Sequence, residues 1–76
     1  MKELLDVMVR SLVSYQNDIE IENVEDDNNI ILKLKVHKED IGKIIGKNGK
    51  VIRSIRTVIK AGAYNTKKRV TVEIIE

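Results

Sequence analysis

The chain contains no cysteine, so no disulfide can staple it and no thiolate can hold a metal ion. It also lacks phenylalanine and tryptophan; Tyr15 and Tyr64 are its only tyrosines and His37 its only histidine. So few rings argue against the aromatic platforms on which RRM and single-strand-binding OB folds stack bases. No apolar run approaches the roughly 20 residues that span a bilayer. The start, Met1-Lys2-Glu3-Leu4-Leu5-Asp6, is too acidic and too briefly apolar for a signal peptide. These absences predict a soluble cytoplasmic chain without a membrane partner. Catalytic patterns are missing too. Ser11, Ser14 and Ser54 have no base at a recognisable spacing, and Asp26, Asp27, Glu39 and Asp40 have no metal-ligand spacing. His37 stands just before a short helix, where capping or a solvent-facing role is expected rather than catalysis. The stretch Gly42 to Lys50 fails the P-loop pattern, because Lys47 occupies the second glycine position and Val51 follows Gly49-Lys50. No enzyme and no cofactor is expected.

One further absence is local. Between Lys43 and Arg69 there is no acid at all, while nine lysines and arginines fall there: Lys43, Lys47, Lys50, Arg53, Arg56, Lys60, Lys67, Lys68 and Arg69. Residues 1–42 carry ten acids against five bases, so the net charge of +2 hides an acidic first half and a strongly basic second one. A basic block of this kind is the footprint of a polyanion site. For Lys60, Lys67, Lys68 and Arg69 a merely solvated surface is an equal alternative. The 76 residues make one domain, 1–76. A chain this short buries only about 60% of its unfolded surface.

Periodicity predicts the elements. Leu4, Leu5, Met8, Val9, Leu12 and Val13 form one helical stripe over residues 3–16, which Asn17-Asp18 ends. Ile19 to Glu22 alternates as a strand, Asp26 to Asn29 is a hairpin turn, and Ile30 to Val36 is the clearest strand. The acids of Lys38-Glu39-Asp40 open a short helix whose buried face is Ile41, Ile44 and Ile45. Gly46 to Gly49 interrupts it. A second helix runs from about Lys50 to Tyr64, with Val51, Ile52, Ile55, Val58 and Ile59 inward. Gly62 near its end lowers helix propensity by about 1 kcal/mol, so fraying is expected there. Residues 69–75 alternate as a last strand, with Val70, Val72 and Ile74 on the core face. The order α-β-β-α-α-β predicts a small α+β fold with a three-stranded sheet packed on three helices. The first two strands form a hairpin, and the long crossover allows the last to run parallel to its partner.

The stretch Gly42-Lys43-Ile44-Ile45-Gly46-Lys47-Asn48-Gly49-Lys50-Val51-Ile52-Arg53-Ser54-Ile55 resembles the core of a KH domain. It has the glycine, the aliphatic pair, the G-x-x-G turn and the isoleucine-spaced second helix. The helix and strand placed before this core resemble the type II arrangement, and the whole chain resembles the small stand-alone bacterial KH proteins of the KhpA (YlqC-like) group. The resemblance implies a fold that clamps about four unpaired nucleotides of single-stranded RNA at the G-x-x-G turn. It implies that Gly46 and Gly49 let the phosphodiester backbone pass close, with Lys47 supplying charge and Asn48 a polar contact. It places an apolar groove between the short helix, the turn and the last strand. Gly42, Ile45 and Ile52 line one side, with the surroundings of Val70 and Val72 opposite. Lys43, Lys50 and Arg53 add diffuse attraction.

Ile41, Ile44 and Ile55 read as core rather than contact residues, whereas Ile45 and Ile52 serve either as groove floor or as core. The expected function is that of a small RNA-binding regulator or RNA chaperone. The resemblance further implies a dimer, with a second copy or with a second KH-containing RNA-binding protein. Surplus apolar character points to the first helix and to the Val58 to Tyr64 end of the second helix for that contact. Two other readings stay open: a subunit that serves protein interaction with incidental nucleic-acid contact, and single-stranded DNA binding.

Overall fold

Strict alternation makes β2 (Asn29–Lys35) the spine of the molecule. Ile30, Leu32 and Leu34 point into the core, while Lys33 and Lys35 take the other face. The computed structural model describes all 76 residues. β1 (Glu20–Glu25) pairs antiparallel with β2, with Glu22 opposite Lys33 and Glu20 opposite Lys35. β3 (Arg69–Ile75) pairs parallel with β2 on its other side, with Val70 beside Ile30 and Val72 beside Leu32. The sheet order is β1-β2-β3, so β3 is an edge strand. Three helices, α1 (Lys2–Arg10), α2 (Ile41–Ile45) and α3 (Lys50–Gly62), cover one face. This is the α+β arrangement, in the α-β-β-α-α-β order, that the sequence predicts.

The hairpin turn is an Asx turn. Asp26 Oδ1 accepts from the amides of Asn28 (2.8 Å) and Asn29 (2.7 Å), the local bonding that makes aspartate a turn former. β1 runs to Glu25 and is longer than the alternation at residues 19–22 suggested. α3 is helical as expected, burying Ile52, Ile55 and Ile59. Val58, expected inward, is instead exposed. It lies one step from Ile59 on the helix, and the apolar stripe is narrower than five residues. Of the three isoleucines assigned to the buried face of α2, only Ile44 is fully buried; Ile41 and Ile45 are half-buried. Gly62 closes α3 where α1 crosses it. A Cβ there would lie 3.2 Å from Leu4 Cδ2 and 3.3 Å from Met1 Cε, so the glycine permits close helix packing at the end of α3.

The first helix departs most from expectation: it ends at Arg10 instead of continuing to residue 16. Ser11, Val13 and Ser14 are poor helix formers. Ser11 Oγ donates back to the Met8 carbonyl (2.7 Å), and Gln16 Nε2 donates to the Arg10 carbonyl (3.0 Å). The decisive contact comes from far along the chain. Asp40, fully buried, accepts from the amides of Ser14 (3.1 Å) and Tyr15 (2.9 Å). A buried carboxylate with two amide donors pulls this segment out of the helix and clasps it to the start of α2. Beside it His37 Nδ1 accepts from the Glu39 amide (3.0 Å), capping the 3₁₀ turn Lys38–Asp40, the first of the two roles expected of it. The Tyr15 ring stacks on His37 at 3.8 Å, and its hydroxyl donates to Glu39 (2.9 Å).

Burial alone would push the Asp40 carboxyl up. The amides of Tyr15 and Ser14, with Lys43 nearby, outweigh that and hold it below the usual carboxylate range. Asp26 is lowered as well, by the Asn28 and Asn29 amides. A carboxyl depressed in the folded state adds stability that is complete above its unfolded pKa of about 3.9 and is lost as pH falls through the folded value. Urea denaturation between pH 7 and pH 2 is therefore expected to show constant stability down to about pH 4, then a decline. Asp40→Asn is expected to flatten that decline and to lower stability at neutral pH.

Candidate nucleic-acid interface

Four residues turn the chain between α2 and α3, and three of them have positive φ. Gly46 stands at φ 74°, ψ 174°, Asn48 at φ 58° and Gly49 at φ 73°. Asparagine is among the few residues with a side chain that adopt the left-handed region readily. Gly46 has a second reason to be glycine. A Cβ there would lie 2.3 Å from Val51 Cγ2 and 2.9 Å from the Val51 amide nitrogen, a hard overlap. The bare backbone at Gly46 thus faces the first turn of α3. That differs from the role the resemblance gives it, in which the open space belongs to a ligand.

Gly49 is different, since a Cβ there would come no nearer than 4.0 Å to Ile52, and the left-handed φ alone asks for glycine. Gly42 has neither reason: it sits in α2, and a Cβ would meet nothing within 4 Å.

Lys47 and Asn48 stand exposed on the turn, beside the N-terminus of the 13-residue α3. That terminus concentrates amide donors and partial positive charge. Arg53 braces the turn, its Nη2 donating to the Asn48 carbonyl (2.9 Å). Its assigned part in diffuse attraction is therefore joined by a positioning role that spacing did not reveal.

The nine cations of the acid-free stretch divide into two sets. Four are tied internally. Lys43 pairs with Asp40 (3.3 Å) and bonds Ser14 Oγ, Arg53 holds Asn48, Arg56 holds the Val72 carbonyl through Nε (3.3 Å) and Nη2 (3.1 Å), and Lys68 pairs with Glu25. Lys47, Lys50, Lys60, Lys67 and Arg69 make no ion pair and no side-chain hydrogen bond. They stand at the two ends of α3, the first two at the turn and the other three around its C-terminus.

Between α3 and the edge of β3 lies a cleft of about 430 Å³, lined by Arg56, Ile59, Lys60, Arg69, Val70, Thr71 and Val72. Val70 and Val72 thus border a groove, but Gly42, Ile45 and Ile52 do not line this one. Ile52 is buried, Ile45 is half-buried and Gly42 is exposed on α2. The Arg56 fork on Val72 spans the cleft. It joins residues 16 apart in sequence, and nothing in the local pattern could announce it. A larger hollow of about 630 Å³ between α1 and β1 is lined by Glu3, Asp6 and Glu20 against a single Lys2, the wrong sign for a polyanion. No helix is long and apolar enough to cross a membrane.

Residues 2–74 match the family described as "KhpA/KhpB, KH domain". Similar proteins include RNA-binding protein KhpA of Clostridium acetobutylicum, 49% identical over 75 residues that cover 99% of this chain and 100% of that protein. RNA-binding protein KhpA of Clostridium perfringens is 48% identical over the same span. Among solved structures, Era in complex with MgGDPNP and a segment of 16S ribosomal RNA superposes with a TM-score of 0.62 at 16% identity over 97% of this chain. Aquifex aeolicus Era bound to GDP and aluminium fluoride gives 0.60 at 18% over 96%. The present chain spans under a third of Era (30% and 28%), and the likeness there is one of fold. The glycine turn, the element order and the full-length kinship agree, and the chain belongs to the KhpA/KhpB family of KH domains.

Proposed function

We propose that this chain binds single-stranded RNA at the Gly46–Gly49 turn and along the α3–β3 cleft, as a small cytoplasmic RNA-binding regulator or RNA chaperone, by binding alone. The observation that carries this reading is the set of five unpartnered cations flanking α3, two of them at the exposed turn. Relatives named RNA-binding protein KhpA, alike over their whole length, support it.

In this reading Lys47 and Lys50 neutralise phosphates, Asn48 adds a polar contact, and the amides at the start of α3 donate to phosphate oxygens. Lys43 and Arg53 hold the surface in shape and add charge. Gly42 and Gly49, where a Cβ would meet no neighbour closely, leave room for the strand, while half-buried Ile45 and buried Ile52 support the floor beneath it. The edge of β3 offers main-chain groups beside the cleft, since Val72 already presents its carbonyl to Arg56. Bases held there meet apolar walls and polar edges, which favours unpaired strands over duplex.

A second reading rests on a separate observation. Leu4, Val7 and Leu12 on and after α1 and Val58 on α3 are exposed, Val7 by 66%. Such a surface favours pairing with a second copy or with another KH-containing RNA-binding protein, which raises avidity without new RNA contacts.

Two experiments test the RNA reading. Lys47→Asp combined with Asn48→Asp is expected to abolish binding of unstructured RNA and leave the circular-dichroism spectrum and Tm unchanged, because aspartate also tolerates the left-handed backbone at residue 48. In the parent chain, neutralising about three phosphates gives log K a slope of roughly −2 against log salt. Binding that survives the double change, or a flat salt response, counts against the clamp. The glycines then separate fold from function. Gly46→Ala is expected to cost about 2–4 kcal/mol from backbone strain and overpacking. Gly42→Ala is expected to stabilise the chain by about 0.5–1 kcal/mol in denaturation while weakening RNA binding.

A further inference from the structure

Tyr64 is 78% exposed, although it is one of only two tyrosines in the chain. Tyr15 is committed to His37 and Glu39, whereas the Tyr64 hydroxyl makes no hydrogen bond. The segment carrying Tyr64 is well braced. Thr66 Oγ1 donates to the Ala63 carbonyl (2.8 Å) and accepts from the Lys68 amide (3.2 Å). Lys67 takes a left-handed φ of 60°, and Lys68 is anchored to Glu25 on β1. Little ordering cost remains to be met when a ligand arrives. A second cleft, of about 290 Å³, lies against this ring and shares Lys60, Arg69 and Val70 with the α3–β3 cleft. Its unpartnered charges, Lys60, Lys67 and Arg69, are all positive, no acid lines it, and Glu25 is already neutralised by Lys68. A ring surrounded by free cations suits a nucleobase with its phosphates better than an apolar protein surface.

We propose that Tyr64 is a stacking platform for a base lying beyond the nucleotides held at the turn, with Lys60, Lys67 and Arg69 on the flanking phosphates. This rests on the single-stranded RNA reading above and extends its footprint. α3 runs 13 residues, about 18 Å from Lys50 to Gly62, so the turn and Tyr64 stand at opposite ends of that helix, and a strand must run along it to reach both. The scarcity of aromatics argues against a broad platform, but one well-placed ring suffices for one base.

The test is fluorescence anisotropy of the full chain with unstructured RNA tetranucleotides and octanucleotides at low salt. The parent chain is expected to bind the longer RNA more tightly. Tyr64→Ala is expected to lose about tenfold on the octanucleotide and nothing on the tetranucleotide, with Tyr64→Phe retaining parent affinity because stacking needs the ring and not the hydroxyl. Tyrosine fluorescence is expected to be quenched by the longer RNA only. Equal losses at both lengths, no loss at either, or Phe behaving like Ala would overturn the proposal. So would a changed sedimentation coefficient with RNA affinity intact, which would assign Tyr64 to a protein contact. Tetranucleotide binding without a gain in length removes this inference alone, whereas no binding at either length removes the clamp as well.

Discussion

The contact between Gly46 and Val51 is the constraint on which the interface depends. Two consecutive amphipathic helices must both place isoleucines in one core, Ile44 from the first and Ile52 from the second. Only a reversal within four residues allows this. With the Val51 side chain and amide pressed against Gly46, no side chain fits at that position. The backbone then passes through left-handed conformations at Asn48 and Gly49 before α3 begins. The outcome for function is orientation. Lys47 and Asn48 are turned outward beside a helix N-terminus, and the Arg53 bond to the Asn48 carbonyl keeps them there. Packing inside the protein therefore presents the polar turn, and the absence of a side chain at Gly46 serves the fold before it serves any ligand.

Charge is organised on the same principle. A surface rich in lysine and arginine is often read as uniformly attractive, yet here nearly half of the cations perform internal tasks. Arg56 occupies a carbonyl on the edge strand, Lys43 answers a buried carboxylate, and Lys68 ties the loop before β3 to the far strand. What remains free is concentrated at the two ends of α3. The acidic half of the sequence is spent on the sheet face and α1. There Glu22 lies across from Lys33, and Asp6 pairs with Arg10 at 3.1 Å. Separation of the signs in sequence thus becomes separation in space, and the basic end keeps its field.

Much of this was legible from residue order alone. The alternation of Ile30 to Val36, the hairpin at Asp26, the helical spacing after Lys50 and the glycine turn are local patterns, and local patterns decide local structure. Features set by distant partners were not legible. The periodicity of residues 3–16 continues smoothly through Leu12 and Val13, yet the helix ends at Arg10, and the contact that holds the following segment away from it comes from Asp40, 25 residues from Tyr15. Val58 carries the composition of a core residue but falls outside the stripe that the sheet covers. The role of Gly46 is the subtler case: the motif announces a glycine, yet only the packing of Val51 against it shows why one is demanded. Arg56 and Arg53 look alike in sequence, and their carbonyl partners distinguish them from Lys50 and Lys60, which have none.

The central claim is that a single strand lies against the exposed turn and runs along α3. Amide chemical-shift mapping of the ¹⁵N-labelled chain, titrated with an unstructured RNA octanucleotide, tests it most directly. The account predicts that the largest changes fall on Gly46 to Arg53, continuing through Lys60 and the start of β3, with α1 and β1 unaffected. Changes confined to α1 and β1, or spread evenly over the surface without saturating, would contradict it.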